Sequence, residues 1–192
     1  MKQRLSGAKA VASPVLASSL KTPWANHEII LGVDPSLRGT GYGIIRLDKP
    51  HPHALAFGTI SCPAAWEPSR CLARIVQDLR EVLNKHHPTI CVMEGLFYAQ
   101  NLQTALVMGQ ARGASLAVVA EAGVAIYEMA PRKVKQAVVG YGAAQKLAVA
   151  KMVQRMLRLP EPPAADAADA LALALAHAQQ FSRYTLSPPK RI

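Results

Sequence analysis

The sequence predicts an α/β domain, a mixed sheet of five strands flanked by helices, and three observations carry that reading. Three apolar segments follow one another with short connections between His27 and Cys62, the pattern of an antiparallel meander. Beyond Cys62, segments of helical period alternate with two further short apolar strands, an order that needs helical crossovers. Hydrophobic residues make up 51% of the 192 positions, enough for one buried core. No apolar run reaches the roughly 18 residues of a membrane span.

The elements follow in order. His27–Asp34 (HEIILGVD) reads as a buried strand, Pro35–Thr40 as a loop, and Gly41–Leu47 and Ala54–Cys62 as the next two strands. A helix is expected from about Ser69 to Lys85, because Leu72, Ile75, Val76, Leu79, Val82 and Leu83 recur every three or four residues. Thr89–Glu94 is the fourth strand, Asn101–Ala122 a long helix, and Val124–Met129 the fifth strand. A short helix follows Pro131 to about Val138, where Gly140 and Gly142 interrupt the chain. The segment from about Ala144 to Leu159 is amphipathic, with Val149, Met152, Val153 and Met156 on one side and Lys151, Arg155 and Arg158 on the other. Ala164–Phe181 alternates leucine with alanine, and the alanines favour helix over strand. Residues 1–27 read as a basic, disordered arm, 28–181 as the folded domain, and 182–192 as a basic, disordered tail. An acid-free arm also fits an organelle transit peptide.

Charge narrows the partner. The net charge is +10, and Met129–Pro160 contains no acid but seven cations: Arg132, Lys133, Lys135, Lys146, Lys151, Arg155 and Arg158. Such a block suits a polyanion, most commonly nucleic acid; the plain alternative is a solvated helix face. Cys62, Cys71 and Cys91 are too few and too irregularly spaced for a disulfide framework or a zinc site, which fits reduced thiols in a cytosolic compartment.

Four of the 12 acids stand at element ends beside apolar stretches. Asp34 closes the first strand and Glu94 the fourth, at the sheet edge where sites collect. Asp166 and Asp169, three apart, project from one side of the last helix in its first turn. Singly, Asp34 reads as a turn residue and either helical aspartate as a helix-start residue. Together they repel and call for cations. Oxygen-only ligation suits Mg²⁺ or Mn²⁺. Two such ions roughly 4 Å apart can activate water and stabilise the leaving oxygen of a phosphodiester.

The stretches ILGVDPSLRGTGYGII, MEGLFYAQN, MGQARG, RKVKQAVVGYG and ADAADALALALAH, spread from Ile29 to about Gln179, resemble the bacterial Holliday-junction resolvase family RuvC. The resemblance implies an RNase H-like fold, a homodimer, and symmetric cleavage of two strands of four-way junction DNA in recombination and repair. It implies two Mg²⁺ ions held by Asp34, Glu94, Asp166 and Asp169, with Lys146 also in the catalytic group. Lys135 and Lys146 match basic positions near the scissile DNA, and Phe97, with Tyr98 beside it, an aromatic that stacks on an unpaired base. Arg112, Arg132, Lys133, Lys151 and Arg155 complete the expected DNA-binding set. A RuvA–RuvB branch-migration complex and a bacterial cytoplasmic location are implied as well. The arm of 27 residues is longer than is usual for the family, and Pro-Ser-Leu-Arg stands where Pro-Gly is commoner.

Three rivals remain on the residues alone. One is a general RNase H-like nuclease acting on other branched DNA. Another is a DNA-binding module with a degenerate site, against which all four carboxylates stand. The third is an actin-like ATPase, since Gly32 to Gly41 resembles a phosphate loop, although 192 residues leave no room for the second domain such enzymes need.

Overall fold

The computed structural model describes residues 28–95, 101–181 and 190–192. Strands β1 (Ile29–Asp34), β2 (Gly39–Arg46) and β3 (His53–Ser61) form the antiparallel meander. Helix α1 (Pro68–His86) then crosses to β4 (Ile90–Glu94), which lies parallel to β1, and α2 (Leu102–Glu121) crosses to β5 (Ala125–Met129), parallel to β4. Helices α3 (Pro131–Val139), α4 (Lys146–Leu157) and α5 (Ala165–Phe181) follow. A last strand, β6 (Lys190–Arg191), completes the sheet, whose order is β3-β2-β1-β4-β5-β6.

The sixth strand corrects the expected count of five. Lys190–Arg191, in the tail read from sequence as disordered, pairs antiparallel with the outer edge of β5. Two charged residues carry no hydrophobic alternation that could reveal a strand. The unpaired edge of β5 supplies the order.

The sheet has a core on each face. Leu31, Val33, Ile44, Cys91 and Met93 pack with α1 and α2, through residues such as Ile75, Leu79, Val118 and Val119. Ile30, Ile45, Ile90 and Val92 pack with α3, α4 and α5 on the other face. The three cysteines are free and buried.

Strand alternation then fixes what α5 meets. Ile30, Gly32 and Asp34 share one face of β1, and Gly41, Gly43 and Ile45 share the matching face of β2. Gly32 pairs with Gly43, and Asp34 with Gly41, so the glycines form a bare patch. Helix α5 lies directly on it. A Cβ at Gly32 would run into the carbonyl oxygen of Ala170, one at Gly41 into that of Asp166, and one at Gly43 would come 2.7 Å from the Leu171 side chain. Ala170 and Ala174, one turn apart and both buried, supply the thin helix surface that this approach needs.

Backbone cannot rotate away as a side chain can. Gly32→Ala is therefore expected to cost about 1–3 kcal/mol or more in urea unfolding. Gly109→Ala, in α2 with nothing within 4 Å of the added carbon, is expected to stabilise by about 0.5–1 kcal/mol. Equal effects at the two positions would contradict the close packing of α5.

Candidate active site

The carboxylates meet because of two periodicities. Ile90, Val92 and Glu94 share the α5 side of β4, as Ile30, Gly32 and Asp34 share that side of β1. The two strands are parallel and in register up to Val33 opposite Met93, which sets Asp34 beside Glu94 one step further on. The glycine patch draws down the first turn of α5 and brings Asp166 and Asp169 to the same end of the sheet. The Asp166 carboxylate lies over Gly39, where an added Cβ would be 2.9 Å from its Oδ2.

Asp34, Glu94, Asp166, Asp169 and Lys146 form one electrostatic cluster. Burial raises the pKa of Asp34, and the charges of Asp169 and Asp166 add to the rise; a hydrogen bond from Glu94 and the Lys146 charge act against it. Glu94 is pushed up from 4.5 to about 8, first by burial and then by the neighbouring Asp34 and Asp169. The proton of this pair therefore resides on Glu94, which donates to Asp34. Lys146, the first residue of α4, reaches Asp169 with Nζ–Oδ2 at 3.0 Å, and that pairing raises its pKa.

All donors here are carboxylate oxygens, the chemistry that hard divalent cations prefer. Among the described residues, no three acidic, histidine or cysteine side chains converge to form a metal cage by themselves. The geometry explains why: Glu94 is committed to Asp34, and Asp169 to Lys146. Holding a cation requires Glu94 to release its proton and Asp169 to share its charge.

The turn after Asp34 is closed from within. The Thr40 hydroxyl, fully buried, donates to the Ser36 carbonyl at 2.6 Å and accepts from the Ser36 N–H at 3.2 Å. Arg38 donates to the carbonyls of Pro63 at 2.7 Å and Trp66 at 2.9 Å. The Ser36 N–H that a phosphate loop would offer to a nucleotide is thus spent on Thr40, which weighs against the actin-like ATPase reading.

The expected DNA-binding residues fall into three groups. Arg132 and Lys133 on α3, and Lys151 and Arg155 on α4, lie at the surface, while Lys135 is half-buried. Phe97 and Tyr98 lie outside the described residues. Arg112 faces inward, contrary to its expected place on the DNA surface. It is 7% exposed, and its guanidinium donates to the Glu94 carbonyl and, at 2.5 Å, to Glu128 Oε2. Sequence reasoning missed Glu128, Thr40 and Arg38. The one signal in the sequence was an arginine amid the small and apolar residues of α2, which sits better in an ion pair than on a wet face.

A family model for crossover junction endodeoxyribonuclease RuvC matches residues 30–177. The chain belongs to the RuvC family. The crossover junction endodeoxyribonuclease RuvC of Akkermansia muciniphila is 45% identical over 148 residues, 77% of this chain and 89% of that protein. The RuvC of Vibrio parahaemolyticus is 45% identical over 150 residues, 78% of this chain and 86% of that one. The solved structure of Thermus thermophilus RuvC in complex with a Holliday junction substrate superposes with a TM-score of 0.77 at 32% identity, covering 85% of this chain and 100% of that one. A yeast mitochondrial Holliday junction resolvase, 13% identical with a TM-score of 0.55, shares the fold. The sheet and its flanking helices are the RNase H-like fold of RuvC. Nucleases of the RuvC family are metal-dependent.

The raised Glu94 pKa has a measurable sign. Between 4.5 and about 8 the folded protein keeps a proton that the unfolded chain has released, so rising pH removes stability. Without divalent metal, the melting temperature is expected to fall as pH climbs through this window. Glu94→Gln should flatten that part of the fall. Lys146 does not interfere, since its raised pKa acts only above its ordinary 10.5. Identical calorimetric profiles for the two proteins would show that Glu94 is already ionised in the folded state.

Proposed function

We propose that this protein resolves Holliday junctions as a Mg²⁺-dependent homodimer, hydrolysing phosphodiesters symmetrically in two strands of four-way DNA. The observation that carries the reading is that four carboxylates and Lys146 lie within electrostatic reach of one another at one end of the sheet, in a chain of the RuvC family. Asp34, Glu94, Asp166 and Asp169 would hold the metal, with Mg²⁺ the natural occupant and Mn²⁺ a substitute. When bound, such ions lower the pKa of an attacking water and stabilise the leaving oxygen. The chain's own residues supply the rest. Lys146 offsets the Asp169 charge and presents an ammonium, 68% exposed at its side chain, to an approaching phosphate. The strand ends hold Asp34 and Glu94 half-buried, which limits their contact with bulk water.

The DNA path is proposed to run from Lys146 along the acid-free block. Helix α4 begins at the carboxylates, and Lys151 and Arg155 stand roughly 8 and 14 Å further along its axis. Arg132, Lys133 and Lys135 on α3 would widen the track. Phe97 and Tyr98, following Glu94 and Gly95, are proposed to stack on unpaired bases. The nuclease domain is proposed to span 28–181, to work with a RuvA–RuvB branch-migration complex, and to act in the bacterial cytoplasm. Among the described residues no helix is long and apolar enough to cross a membrane.

A synthetic four-way junction beside a linear duplex, with Mg²⁺ or with EDTA, tests the activity. Nicks in opposed strands of the junction alone, lost in EDTA, are expected. Asp34→Asn and Glu94→Gln should each abolish cutting while junction binding survives. Near wild-type cutting would remove that residue from the site. For the track, the triple alanine variant of Lys151, Arg155 and Arg158 should reduce the slope of log affinity against log salt by about 0.9 for each phosphate it no longer neutralises. An unchanged slope would leave these cations as a solvated face.

A further inference from the structure

Glu94 stands where the sheet gives it least support. The ladder between β1 and β4 ends at Val33 and Met93, so on that side the backbone of Glu94 is past its last paired position. On the other side it registers with Met129, and the Gly95 N–H donates to the Met129 carbonyl at 3.0 Å. The Glu94 carbonyl takes its hydrogen bond from Arg112. The second arm of the same guanidinium holds Glu128, the residue before Met129. One side chain from the middle of α2 therefore joins the ends of β4 and β5 at the position from which the Glu94 carboxyl projects.

We infer that Arg112 is a positioning residue for the reaction: paired with Glu128, it sets the backbone of Glu94 and thereby the affinity of the carboxylate cluster for its metal. A planar fork with diverging donors can serve a carbonyl and a carboxylate at once, whereas an ammonium is a single point of charge. An ion pair whose side chains are 9% and 27% exposed adds little net stability over apolar replacements, so stability alone is a weak reason for placing one here. At 7% exposure, with two protein acceptors, the guanidinium has no arm turned to a phosphate. The inference rests on Glu94 being a metal ligand, as proposed above.

The test uses the full chain and Mn²⁺ alone, titrated by calorimetry without DNA. Arg112→Met combined with Glu128→Gln removes both charges together, which leaves no uncompensated buried charge and should keep the melting temperature near wild type. Its Mn²⁺ dissociation constant is expected to rise roughly 10–100-fold, the usual cost of losing support behind a ligand. Arg112→Lys should fall between it and wild type. Junction affinity in EDTA, and its salt slope, should stay unchanged, and cleavage should recover partly at high metal. Wild-type Mn²⁺ affinity in the double variant overturns the inference. So does a double variant that does not fold, since the role would then be structural, or a junction salt slope that shrinks, since Arg112 would then touch phosphate. Asp34→Asn separates the two readings. If it loses Mn²⁺ while the double variant does not, only the Arg112 inference falls; if wild type binds no Mn²⁺, the metal site itself falls.

Discussion

The structure depends on the contact between the backbone of α5 and the bare glycine patch of β1 and β2. A helix normally rides on side chains that hold its backbone off the sheet. Here Gly32, Gly41 and Gly43 remove those side chains, and the alanine face of α5 removes the other half of the spacer. The helix sinks until the Asp166 and Ala170 carbonyls leave no room for a methyl group on the strands. Everything at the carboxylate end follows from that descent. With side chains in between, Asp166 and Asp169 would stand off from Asp34 by the thickness of a residue layer.

The cost of this gathering is electrostatic. Burial and neighbouring carboxylates raise the pKa of Asp34 and of Glu94, and the charge of Lys146 acts against both shifts. The protein answers with a proton held on Glu94 and an ion pair at Asp169. A divalent cation would replace both devices at once. This explains why a cluster that is uncomfortable by itself suits a metal-dependent nuclease family. The same contrast separates the site from its surroundings, where α3 and α4 carry surface cations while the strand ends concentrate the acids.

The supports behind the site are long side chains that reach across the fold. Arg38 ties the loop after β1 to the segment between β3 and α1, and Arg112 ties the ends of β4 and β5 to α2. Both are cations, and composition alone counts them with the surface charge. The surface residues of α3 and α4 and the buried Arg112 differ in what stands opposite them, which charge counting does not register. The tail illustrates the same point: Lys190 and Arg191 read as solvated charge until they are seen against Glu128 and Tyr127 of β5.

What the sequence determined by itself is what depends on neighbours a few residues away. Short apolar runs and the short connections between them located β1 to β5, helical period and alanine content located α1 to α5, and the ends of the apolar runs marked Asp34 and Glu94. The spacing of Asp166 and Asp169 put both on one helix side, and the motifs from ILGVD to ADAADALALALAH led to the RuvC family. The tertiary structure decided what depends on partners far along the chain. Glycines 32, 41 and 43 become a single patch only when β1 pairs with β2 and α5 returns from more than a hundred residues away. Arg112 turns inward because Glu128, 16 positions on, waits on the adjacent strand, and β6 exists because β5 has an open edge. Local periodicity is written into successive residues, whereas a side chain's final partner is set by the packing of whole elements.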